Sequence, residues 1–92
     1  MIHQIYTVFD SKVAGYLRPF FAQTKGAAVR DFSDAVNDPA HSFNRHAEDY
    51  TLFELGTFDD FNCQFIIHPT PLSIGKAQEF INPTIPPPPN ER

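Results

Sequence analysis

The sequence predicts an α+β fold: a small, mostly antiparallel sheet of about three to four strands, one main helix on one face, a short C-terminal helix and a Pro-rich tail. Two patterns and the chain length carry that expectation. Runs rich in Ile, Val, Thr, Tyr and Phe recur at Ile2–Phe9, Tyr50–Leu55 and Asn62–His68, and read as strands. Between the first two, Ala28, Val29, Phe32, Ala35 and Val36 form an apolar stripe at helical spacing. The 92 residues include ten Phe and three Tyr but no Trp, so a few large rings must dominate one modest core.

Ile2–Phe9 contains no helix or strand breaker, and Asp10-Ser11 can begin a turn. Gly15 and Pro19 argue against a regular central strand over Ser11–Gln23. That segment is expected to be an irregular arm or an edge strand pinned by Phe20 and Phe21, both assigned to the core. Thr24–Asn37 is the clearest helix. Thr24 can accept an orphan backbone N–H at its start, and Asn37-Asp38-Pro39 ends it, because a residue before proline avoids the helical region. Gly26 weakens the first turn slightly, and Arg30 with Asp34 is expected to pair on the outer face.

Ala40–Asp49 reads as a polar connection anchored by Phe43. Gly56–Phe61 reads as a hairpin loop between the second and third strands. Cys63, Phe65 and Ile67 are expected on one strand face, Gln64, Ile66 and His68 on the other. Pro69-Thr70-Pro71 is expected to stop that strand, and Ser73 to cap a short helix over Ile74–Phe80. Residues 1–81 thus form one domain, and 82–92 a polyproline II tail with no apolar pattern to pack. No internal repeat is present.

Composition excludes several chemistries. Four histidines invite a metal reading, but His41/His46 and Cys63/His68 are pairs five apart, and nothing in the sequence unites them; no metal or other cofactor is expected. Cys63 is the single cysteine. It sits in an apolar run, as a small hydrophobe does, and it rules out an intramolecular disulfide, which fits a reducing cytosol. Glu48-Asp49 and Asp59-Asp60 are paired carboxylates with no third group to complete a site. The four glycines are scattered, so there is no phosphate-binding loop. A non-enzymatic protein is expected. Met1–Tyr6 lacks the basic start and apolar run of a signal peptide, and no stretch approaches the ~20 apolar residues of a membrane span.

The charge is segregated. Ser11–Arg30 contains no Asp or Glu but holds Lys12, Arg18, Lys25 and Arg30, with Tyr16, Phe20 and Phe21 among them. From Asp31 to Asp60 the acids Asp31, Asp34, Asp38, Glu48, Asp49, Glu54, Asp59 and Asp60 face Arg45 alone. The net charge of -4 hides this asymmetry. Cations interleaved with rings suit single-stranded nucleic acid, since cations neutralise phosphates while rings stack on bases. Lys12, Arg18, Lys25 and Arg30 are the candidate phosphate contacts and Tyr16 the candidate stacking residue. The acidic half instead suits a basic protein partner.

Ile5-Tyr6-Thr7-Val8-Phe9-Asp10-Ser11-Lys12, Tyr16-Leu17-Arg18-Pro19-Phe20-Phe21, Phe32-Ser33-Asp34 with Asn37-Asp38-Pro39, and Tyr50-Thr51-Leu52-Phe53-Glu54-Leu55-Gly56 together resemble the small nonstructural protein of microviruses, in particular gokushovirus-like tailless single-stranded DNA bacteriophages. The resemblance runs from about Ile5 to about Phe80. It implies a phage accessory protein of the host bacterial cytoplasm that binds single-stranded DNA and assists genome synthesis or packaging. The alternative is a module that contacts the replication initiator, the procapsid or a host factor without touching DNA. The DNA reading calls for a homo-oligomer or a larger complex, because about four cations bind DNA weakly, and the basic and acidic halves of two copies can dock on each other. Ala27 replaces the acidic residue frequent in that family after Thr-Lys-Gly, which removes a possible capping box at Thr24.

Overall fold

The structure, a computed structural model, describes residues 1–82. Its centre is β1 (Ile2–Asp10), paired antiparallel on both sides. On one side lie two short strands, β2 (Gly15–Tyr16) and β3 (Phe20–Ala22). On the other lies β4 (Tyr50–Asp59), which pairs in turn with β5 (Gln64–Lys76). The sheet has five strands, in the order β2-β1-β4-β5, with β3 also on β1. The expected arm is therefore a broken edge strand. It is interrupted at Pro19, which has no N–H to give the ladder, and it is tied down where the Thr7 hydroxyl donates to the Leu17 carbonyl at 2.7 Å.

Helix α1 (Lys25–Val36) forms where its stripe requires, with Thr24 Oγ1 accepting from the Ala27 amide at 3.1 Å and Asn37 closing the C-terminus. Ala28, Phe32 and Val36 face the sheet and pack with Tyr6, Val8 and Leu52. Phe20, Phe43 and Phe80 close the sides of this core. Asn37 ties the far end together: its Nδ2 donates to the Phe80 carbonyl, and its Oδ1 accepts from the Asn82 amide. The expected Arg30–Asp34 ion pair does not form; the ion pairs among the described residues are Met1–Asp60, His3–Asp60 and His68–Glu54.

Five other expectations are corrected. Ala40–Asp49 holds a one-turn helix α2 (Ser42–Arg45), where His41 Nδ1 accepts from the Phe43 amide, and a 3₁₀ turn over Ala47–Asp49. Gly56 opens no loop: β4 runs through it to Asp59, and the turn falls after Asp59, where Asp59 Oδ1 caps the Phe61 amide. Cys63 is in that turn, exposed and at φ 61°, not in a strand. Pro69-Thr70-Pro71 does not stop β5. Residues 68–71 lie between the Ile67–Gly56 and Leu72–Glu54 pairs without ladder partners. Prolines are tolerated there because no donor is required. Ser73 then pairs with Phe53 within β5, and the C-terminal helix shrinks to a 3₁₀ turn, Ala77–Phe80, whose start is held by the Lys76 amide donating to Glu79 Oε2. Of the Pro-rich tail expected over 82–92, residues 83–92 lie outside the described residues.

Candidate nucleic-acid interface

One helix covers one face of this sheet; the other face follows from the ladder. Residues opposite one another on neighbouring strands project to the same side. Tyr6 and Val8 point to α1, so His3, Ile5, Thr7 and Phe9 point away from it. In register with these are Thr51, Phe53 and Phe58 on β4, Phe65, Ile67 and Lys76 on β5, Tyr16 on β2 and Phe21 on β3. Ile5 and Thr7 are buried under these rings, outside the helix-side core.

The rings form two clusters. At the Asp10 end of β1, Phe9 lies 4.8 Å from Tyr16 and 6.5 Å from Phe53, centroid to centroid. At the Ile2 end, Phe58 lies 6.0 Å from Phe21, 6.2 Å from His3 and 4.6 Å from Phe65. His3, Phe21 and Phe58 line a cleft of about 250 Å³. Six residue steps along β1 lead from His3 to Phe9, or about 20 Å along the sheet at the usual strand rise. Tyr16, Phe21 and Phe65 remain 56%, 54% and 57% exposed, so each keeps more than half of its surface open to solvent. The expectation that Phe21 is core is thereby corrected: it pairs on the far side of β1 from the helix, while Phe20, its neighbour, packs under α1.

The two ends differ in polarity. Asp60 Oδ1 accepts from the Met1 ammonium and Oδ2 from His3 Nε2, each at 2.7 Å. The ammonium, then His3, lowers the Asp60 carboxyl below its ordinary value, and Asp60 raises the ammonium in return. An ionised carboxylate only accepts, so His3 carries a proton on Nε2. At the opposite end, exposed Lys76 stands in register with Thr51 and Phe9. Lys12 occupies the β1–β2 turn, its amide held by Asp10 Oδ1 at 2.9 Å.

The structure brings together Lys12 and Tyr16 at this end and does not gather the other candidates there. Arg18 follows β2 on the arm and lines a cleft of about 310 Å³ on the helix side, with Val8, Leu17, Phe20, Asp31, Phe32, Ala35 and Phe43. Lys25 and Arg30 are exposed on α1, the opposite layer. Sequence reasoning missed Phe9, Phe53, Phe58, Phe65 and Lys76. The available signal was two-sided strands: Ile5-Tyr6-Thr7-Val8-Phe9 is apolar at both parities, while the chain supplies one long helix to cover one face.

Of the histidines, His68 donates to Glu54 Oε2 at 2.8 Å, far from Cys63 in its turn. His46 does lie with Glu48 and Asp49, their ligand atoms within 4.8 Å, at the 3₁₀ turn that His46 precedes, where His46 and Glu48 are exposed and Asp49 is half-buried. Two acids and an imidazole there are as well explained by solvation of the turn.

A sequence model of the family described as Phage ORF5 protein matches residues 3–80. No curated protein and no solved structure matches the chain.

Proposed function

The chain belongs to the Phage ORF5 protein family, and from that premise we propose that this phage accessory protein is a non-enzymatic binder of single-stranded DNA, acting in the host bacterial cytoplasm in genome synthesis or packaging of a gokushovirus-like microvirus. The observation that carries the reading is the uncovered sheet face with its two ring clusters. Single strands bind on such platforms because every base has a face to stack, whatever its identity. Tyr16, Phe9 and Phe53, with Lys12 and Lys76 beside them, are the strongest candidate contact; Phe21, His3, Phe58 and Phe65 are the second stacking position. Arg18, Lys25 and Arg30 contribute only where a strand wraps the β3 edge toward the helix.

The test is anisotropy of a labelled oligonucleotide titrated at several salt concentrations. Single strands lose about 0.7 in log–log slope per neutralised phosphate. Lys12 and Lys76 alone would give a slope of roughly −1.5 per subunit, and all five cations about −3.5. Tyr16→Ala should weaken binding about five-fold or more, since base stacking contributes ~1–3 kcal/mol. The Lys12→Glu/Lys76→Glu variant should flatten the slope more than Lys25→Glu/Arg30→Glu. Absence of binding at low salt would remove the DNA reading. The second reading, a module for a phage or host protein without DNA contact, is favoured by the apolar cleft between the arm and α1, shaped for an aliphatic or aromatic anchor with Arg18 and Asp31 at its rim.

A further inference from the structure

We propose that β5 is the self-association surface of this protein, through which a second copy adds its own β5 antiparallel across a two-fold axis at Ile66. The inference is independent of DNA binding. The sheet has two edges. The β2/β3 edge is short and interrupted by Pro19, which is a usual protection against strand addition. The β5 edge is thirteen residues long and pairs with no strand on its outer side among the described residues. A bare edge presents a row of unsatisfied N–H and C=O groups. Pro69 and Pro71, in the unladdered stretch, protect its middle. Gln64–Ile67 has no such protection: its ladder is regular, and Phe65, Ile66 and Ile67 are 57%, 69% and 55% exposed.

A second copy is the occupant because the segment is complementary to itself. Gln64-Phe65-Ile66-Ile67-His68 reads polar, apolar, apolar, apolar, polar. Antiparallel pairing about Ile66 sets Ile66 against Ile66 of the second copy, Phe65 against its Ile67, and Gln64 against its His68. Ring against β-branched side chain is a favourable cross-strand pair. Shifting the axis to Phe65 brings in the Cys63 turn, and shifting it to Ile67 brings in Pro69, which cannot donate. An axis normal to the sheet must place a residue opposite itself, so these are the neighbouring choices, and Ile66 alone pairs Phe65, Ile66 and Ile67 with one another inside the regular segment. Charge also permits it: the segment has no Lys, Arg, Asp or Glu, although the whole chain carries -4. Phe65 and Ile67 lie on the uncovered face, so the pairing joins the ring surfaces of two copies.

Five residues a side fall below the ~800 Å² that each partner gives a standard interface, so the dimer is weak and concentration-dependent. Sedimentation equilibrium on the full chain from micromolar to millimolar concentration should show reversible monomer–dimer exchange. Ile66→Lys, which sets two ammonium groups face to face, should weaken association at least ten-fold, with its circular dichroism spectrum unchanged because Ile66 is exposed. Register is tested separately. Strand partners have Cα atoms about 4.5–5.5 Å apart, within disulfide range. The Cys63→Ser/Ile66→Cys double variant should therefore oxidise to a covalent dimer much faster than Cys63→Ser/Leu72→Cys. A wild-type chain monomeric throughout, a dimer or filament that survives Ile66→Lys, or equal oxidation of the two cysteine variants would each overturn the proposal.

Discussion

Gly56 is the residue at which the structure is least forgiving. A Cβ there would lie 2.0 Å from the Ile66 carbonyl oxygen and 2.8 Å from the Ile67 Cα, both backbone atoms of β5 that cannot step aside. Gly56→Ala should cost ~3 kcal/mol or more, or abolish folding, in chemical denaturation. The opposite sign is expected at Cys63, held at φ 61° by the hairpin turn. Relief of that left-handed strain should let Cys63→Gly raise stability by ~0.5–1 kcal/mol; a loss of similar size would mean that the thiol packs. Tyr6 gives a pH signature. Burial first, then the Glu54 carboxylate at 3.2 Å, pushes its phenol up to about 12 from an ordinary 10. Above pH 10 the unfolded chain releases that proton while the folded chain keeps it. The stabilisation is therefore complete below pH 10 and lost as pH rises through 12. Tyr6→Phe should flatten the alkaline limb of the stability profile.

Among the elements, α1 determines what the sheet can bury. Its twelve residues span about 18 Å, whereas the ten of β4 span about 33 Å. The helix therefore covers only part of the strand pair, and Ile66 stays exposed although it lies on the helix side of the ladder. Phe32, wedged between Phe43 and Phe80 at 5.5 Å each, should cost ~3 kcal/mol or more as Phe32→Ala through the cavity left. Thr24→Ala should cost ~1 kcal/mol through loss of the cap to Ala27. Melting curves of the two variants measure both. The helix was legible to the residue because stripe, cap and stop are local signals. The β4–β5 hairpin was not. Gly56 and Pro69 are breakers by local rule, and only the pairing shows that one meets close backbone and the other an unladdered stretch.

For the whole molecule, the division of labour is between two layers. The helix side holds the core, and the far side is a surface of rings over Ile5 and Thr7. The molecule's basic and acidic halves are not its two faces: Lys12 and Tyr16 share a sheet end, while Lys25 and Arg30 ride the helix beside Asp31 and Asp34. The tail beyond Asn82 has at its prolines no N–H to pair and offers Ile85 as its one aliphatic side chain. Removing Pro83–Arg92 should leave the melting temperature within a degree or two; a large drop would show that it packs on the domain.

By itself the sequence determined the α+β class, β1, α1 with its Thr24 cap, and the presence of rings and cations in Ser11–Arg30, because periodicity, capping and composition act over a few residues. Only the tertiary structure decided which rings share a face, that Phe21 is exposed while Phe20 is half-buried, that Lys76 lies at the same sheet end as Lys12, and where β5 ends. Those facts depend on register, and a one-residue slip in register sends every side chain to the other face. No local signal fixes register between strands separated by forty residues of chain, as β1 and β4 are; the packing of α1 on one face does.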